Sequence, residues 1–103
     1  VIAADVVWRF AGRGPVSGEH RGIDAVLGAF AEIAQRSGGT FRVELHDVLA
    51  NDEHAVALVE RTARHNGREL RSRGADVFHI RGGQVVEYWD CPTDAHAEEE
   101  FWA

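Results

Sequence analysis

Three charged residues sit where strand alternation would leave them in apolar company. In "VVEYWDCP" (residues 85–92), a strand puts Asp90 on one face with Tyr88 and Val86, and Val85, Glu87 and Trp89 on the other. The same parity places Asp76 with Phe78 and Ile80, and Arg61 with Val59 and Ala63. An isolated buried charge is expensive, so such groups must be paired or must line a wet cavity. Two readings stay open: an Arg61–Asp90 ion pair near the sheet end, or a ligand pocket in which an acid, a base and an arginine converge. A carboxylate in apolar surroundings has its pKa raised toward neutrality. It can then take a proton from an acidic carbon and return it to an oxygen.

The bounds on function are broad. The 103 residues predict a single domain over 1–103, with 45% hydrophobic and 27% charged residues. A net charge of −6 argues against nucleic-acid binding, which needs a basic surface. No apolar run reaches the roughly 18 residues of a membrane span. One cysteine, Cys91, sets no demand for an oxidising compartment. No signal peptide is read, so the expected location is the cytoplasm. The chain opens on Val1 rather than methionine, and the natural N-terminus is expected upstream.

Those residues need a sheet to position them. "DVVWRF" (5–10) reads as a strand and "AGRGPVSGEHRG" (11–22) as a long loop. Ile23, Val26, Leu27, Phe30, Ile33 and Ala34 recur at helical spacing, predicting a helix over Ile23–Arg36 that Ser37-Gly38-Gly39 stops. Four long strands follow. They are separated by "NDEH", by Asn66-Gly67 (a strong hairpin signal) and by Arg81-Gly82-Gly83. After Pro92, "TDAHAEEEFWA" predicts a short helix with Thr93 as N-cap. Helices segregated from an antiparallel meander make an α+β domain. Both sheet faces carry large apolar groups, so one is expected against the helix and the other against a second copy in a homodimer, with Trp89, Val77 and His79 near the contact.

The remaining candidates read as structural. The six histidines show no close ligand spacing, so no metal site is expected. Cys91 reads as a small apolar filler, "AEEE" as a solvated helix face, and "GRGPVSG" as a plain loop. Trp8 and Phe10 share a face that is core or the wall of an apolar pocket.

Taken together, "DVVWRFAGRGPVSGEHRGIDAVLGAF", "TFRVELHDVLA" and "VFHIRGGQVVEYWD", followed by an acidic stretch ending "EFW", resemble the SnoaL-like group of the nuclear transport factor 2-like superfamily over nearly the whole chain. The resemblance implies a cone-shaped, curved antiparallel sheet wrapped around a helix (a cystatin-like α+β roll), usually in a homodimer. It also makes "VIAADVV" look like the tail of a helix whose predecessors are missing. The superfamily includes polyketide cyclases, ketosteroid isomerases and epoxide hydrolases, alongside members that only bind ligands or partners.

Carried over residue by residue, Asp90 matches the last-strand acid/base aspartate, and Arg61 the arginine paired with it in epoxide hydrolases. Asp76 matches an oxyanion-hole aspartate of the isomerases. The hydrolases' second aspartate falls on Ala63. Phe10 stands both for the isomerases' proton-abstracting aspartate and for one of the hydrolases' water-holding residues, and Trp8 for the other. Neither of those activities is therefore expected by its known residues.

The pattern left is closest to the cyclases. Asp90 is the candidate acid/base, Arg61 its orienting partner and Asp76 the third candidate catalytic residue, with Trp8, Phe10, Phe30, Phe78 and Tyr88 the candidate ligand contacts. The substrate's conjugation would supply the electron sink, so neither metal nor cofactor is expected. The implied function is acid/base chemistry on a small apolar carbonyl compound. The alternative is a non-enzymatic ligand-binding or dimerisation module on the same scaffold.

Overall fold

The computed structural model describes residues 2–12 and 14–102. The elements run β1 (Ile2–Phe10), β2 (Gly18–Arg21), α1 (Ile23–Arg36), β3 (Arg42–Ala50), β4 (His54–His65), β5 (Arg68–Arg81), β6 (Gln84–Pro92) and α2 (Ala95–Trp102). The strands form a six-stranded sheet in the order β2-β1-β6-β5-β4-β3. All neighbours are antiparallel except β1 and β6, which run parallel, so the expected antiparallel sheet is a mixed one. The α+β architecture and the bounds of α1 are as the sequence predicts.

Apolar periodicity explains α1. Val26, Ala29 and Ile33 are buried on one face, although Leu27, counted with them from spacing, is 55% exposed. The helix enters through Gly22, whose φ of 85° few side chains tolerate. The Gly22 N–H donates to the Val6 carbonyl at 2.8 Å, which ties the helix start to β1.

Two apolar clusters lie on the helix-bearing face. Val6, Trp8, Val26 and Tyr88 form one, with Phe10, Phe78 and Val85 against it. Val16, Ile33, Ala63, Leu70, Phe101 and Trp102 form the other, with Phe10 and Phe41 against it. Val6 and Val26 are fully buried, each worth about 1.5–3 kcal/mol of transfer free energy.

Several expectations are corrected. "VIAADVV" is strand from Ile2 onward rather than a helix tail. Ala3 and Val6 are buried three residues apart, a helix-like spacing, because the register shifts between Ile2 and Val7. Val1, Arg13 of the glycine-rich loop and Ala103 lie outside the described residues. That loop contains β2, which pairs along β1.

Strict alternation also fails in β6. The register shifts between His79 and Ile80, so Val85 rather than Val86 reaches the Trp8 cluster. The N-cap of α2 is Asp94, whose Oδ1 accepts from the Ala97 N–H at 3.0 Å. Thr93 instead bonds the Arg73 carbonyl through both its N–H and its hydroxyl. Cys91 is exposed, not filler. No described helix is long and apolar enough to cross a membrane.

Candidate functional site

The site assembles from three adjacent strands. Register pairs Asp76 on β5 with Asp90 on β6, and Phe78 with Tyr88. Arg61 reaches them from β4, where it is paired with Ser72. Its Nη2 donates to Asp76 Oδ1 and lies at an ion-pair distance of 2.7 Å from Asp90 Oδ1. The Tyr88 hydroxyl donates to the same Asp76 oxygen at 2.5 Å. Asp90 Oδ2 accepts the Ala11 N–H at 3.3 Å, which anchors the end of β1.

A fourth charged group joins from α2. Glu98 Oε1 lies 3.5 Å from Arg61 Nη1, and the Glu98 side chain is only 13% exposed. The expectation that "AEEE" is a solvated face is therefore corrected for Glu98. One turn of helix turns it inward, because the buried Phe101 and Trp102 fix that face of α2 on the sheet. The signal available in the sequence was spacing: Glu98 precedes Phe101 by three residues, and residues three apart share a helix face.

One guanidinium thus meets three carboxylates. Burial alone would lower the pKa of Arg61, but Asp90 and Asp76 more than offset it and keep the guanidinium charged. Burial raises the pKa of Asp90, against the opposing pull of Arg61. It raises that of Glu98 for the same reason and against the same opposition. Burial, and then the charge of Asp76, push the Tyr88 hydroxyl well up, so it stays a proton donor.

Two adjoining cavities share Arg61, Phe10, Ile33 and Phe41 in their walls. The larger, about 370 Å³, is walled by Trp8, Phe10, Phe30, Ile33, Phe41, Val43 and Phe78, and its polar end is Arg61, Asp76 and Tyr88. Trp8 stacks on Tyr88 with ring centroids 4.0 Å apart and meets Phe30 edge-on at 5.4 Å. The smaller, about 50 Å³, is lined by Arg61, Asp90, Glu98, Ser17 and Trp102 among others. The structure therefore brings Arg61, Asp76 and Asp90 together. It places Asp76 with Trp8, Phe10, Phe30, Phe78 and Tyr88 on the large cavity, and Asp90 behind Arg61 on the small one.

Residues 1–88 match the SnoaL-like domain. The chain belongs to the SnoaL-like family. Its sequence relatives include uncharacterized proteins of Mycobacterium tuberculosis and Mycobacterium bovis. Each is 32% identical over 103 residues, which is 99% of this chain and 79% of the relative.

Similar solved structures include Bal32a, from a soil-derived mobile gene cassette. It is 28% identical with a TM-score of 0.95, over 99% of this chain and 79% of that one. A Xanthomonas campestris protein of unknown function with a cystatin-like fold is 30% identical with a TM-score of 0.93, over 100% and 81%. A Jannaschia protein, described as a candidate SnoaL-like polyketide cyclase, matches at 15% identity and a TM-score of 0.73, over 89% and 67%. At that identity the likeness is one of fold.

Proposed function

We propose that this SnoaL-like protein binds a small apolar compound in its large cavity and moves a proton on it without a cofactor. The observation that carries the proposal is the Asp76 carboxylate at the polar end of an aromatic cavity, held by Arg61 and by the Tyr88 hydroxyl at 2.5 Å. The carboxylate takes a proton from an acidic carbon or hydroxyl of the ligand and returns it to another atom of the same conjugated system. One bond to hydrogen breaks and one forms, so the balance closes as an isomerisation with no further reactant. Arg61 fixes the carboxylate, and Asp90, whose burial favours its protonated form, stands behind it as a proton reserve.

Exchange of the acidic C–H protons of 2-tetralone in D₂O, followed by NMR, tests this. The wild type should accelerate exchange, and Asp76→Asn should lose about 10²- to 10⁴-fold, the usual contribution of general acid/base catalysis. Asp90→Asn should lose less. If Asp76→Asn stays folded and keeps full exchange, Asp76 is out of the mechanism. A larger loss in Asp90→Asn than in Asp76→Asn would make Asp90 the acid/base group.

Asp90's place off the large cavity also favours a second reading, ligand binding without turnover. Tight binding with no exchange of any probe would select it. In either reading a second copy covers the opposite sheet face. There Leu49, Val56, Val77 and Trp89 align across four strands in an apolar row.

A further inference from the structure

The charge and hydrogen-bond state of the cavity's polar end restrict the ligand further, if that cavity is the ligand site proposed above. Arg61 is the sole basic side chain among the described residues lining it, and three carboxylates already surround its guanidinium. A carboxylate or phosphate entering there would find no free cation among the described residues and would face the Asp76 carboxylate. The Tyr88 hydroxyl has one proton, and it is spent on Asp76 Oδ1, which Arg61 also meets. Asp76 Oδ2 takes no hydrogen bond from a described residue and is not among the fully buried unpaired atoms. Among the described residues it is an acceptor without a donor, next to stacked aromatic rings.

We infer that the ligand presents a hydrogen-bond donor to Asp76 at the end of an aromatic body, and that anionic compounds are rejected. The donor is a neutral enolic or phenolic hydroxyl, or a protonated amine. Both satisfy Oδ2, and the amine would also gain from the aromatic faces around it. Within the proton-transfer reading, the hydroxyl tautomer of the substrate is the form held most tightly.

Calorimetric titration with five probes of one shape tests this: 2-naphthol, (2-naphthylmethyl)ammonium, 2-methoxynaphthalene, naphthalene and 2-naphthoate. Naphthol or the ammonium should bind at least about tenfold more tightly than the methyl ether or the hydrocarbon, since leaving a buried acceptor unpaired typically costs that much. Naphthoate should bind weakest. Which of the two donors wins assigns the hydroxyl or the amine as the source.

Methoxynaphthalene binding within about twofold of naphthol would overturn the donor requirement. Naphthoate binding as tightly as naphthol would overturn the charge argument. If no probe binds, both this inference and the cavity reading fail. If naphthol binds but tetralone exchange is absent, only the proton-transfer reading fails. Asp76→Asn should lose the preference for naphthol over its ether. In case that variant does not fold, a crystal structure of the wild type with 2-naphthol decides: the naphthol oxygen should lie within hydrogen-bond distance of Asp76 Oδ2, and naphthol bound away from Asp76 would overturn the assignment.

Discussion

Three carboxylates around one guanidinium leave a surplus of negative charge that protons must balance. Burial raises the Glu98 pKa against the opposing attraction of Arg61, so the folded state binds that proton more tightly than the unfolded chain does. The resulting stabilisation is full below the unfolded pKa, about 4.3 for a glutamate. It is lost as pH rises through the higher folded value, because the native state then binds more protons than the unfolded one. Glu98→Gln removes the titration. The variant's melting temperature should therefore gain on the wild type progressively as pH rises above about 4. A variant that instead loses ground as pH rises would mean that the Arg61 attraction outweighs burial. The Asp90 charge also raises the Glu98 pKa, so removing Glu98 eases the Asp90 titration and acts in the same direction.

At the scale of elements, the crossing of β5 and β6 decides where the charged groups meet. A side chain at Gly74 would bring its Cβ to 2.8 Å from the Cys91 carbonyl oxygen and 2.9 Å from Pro92 Cα. Both are backbone atoms, and neither can move without displacing β6 just beyond Asp90. Gly74→Ala should destabilise the fold by about 1–3 kcal/mol, the usual cost of overpacking, measured by urea denaturation. It should also weaken ligand binding, because the end of β6 leads directly into α2 and Glu98. A fully stable Gly74→Ala protein would show that the two strands can separate cheaply.

The other decisive element is β3. All nine of its residues are exposed, and its register shift between Leu45 and Asp47 pairs Val48 with Ala57. A plain alternation would have put Asp47 on the face that carries Val43 and Leu45. The shift keeps that face apolar up to Val48, beyond the cavity edge at Val43.

For the whole molecule, the question is what covers the face away from α1. Leu49 is 56% exposed, and the row it begins crosses Val56, Val77 and Trp89. Beside that row, His79 Nδ1 lies 3.0 Å from Glu87. Glu87 also accepts from Arg9 at 2.9 Å, and the Arg9 guanidinium sits 5.6 Å from the Trp89 ring centre. An apolar row edged by ion pairs suits association with a second copy. Sedimentation should give a dimer at micromolar concentration, and Val77→Glu should give a folded monomer. A monomeric wild type would remove the dimer, and an unchanged dimer in Val77→Glu would move the interface elsewhere.

The sequence alone determined the α+β class, the full extent of α1 and the shared face of Arg61, Asp76 and Tyr88. Each follows from a local periodicity of 3.6 or 2 that the chain must obey to bury its apolar side. It did not determine the parallel β1–β6 pairing, the place of Val85, the capping role of Asp94 or the inward turn of Glu98. Those depend on register shifts and on contacts between residues far apart in the chain, which no local pattern encodes. For the same reason, only the tertiary structure decided which aspartate opens on the large cavity. Asp76 and Asp90 have equivalent strand parity, and the residues common to both cavities, Arg61 from β4 with Phe10, Ile33 and Phe41, come from elements far apart in the chain.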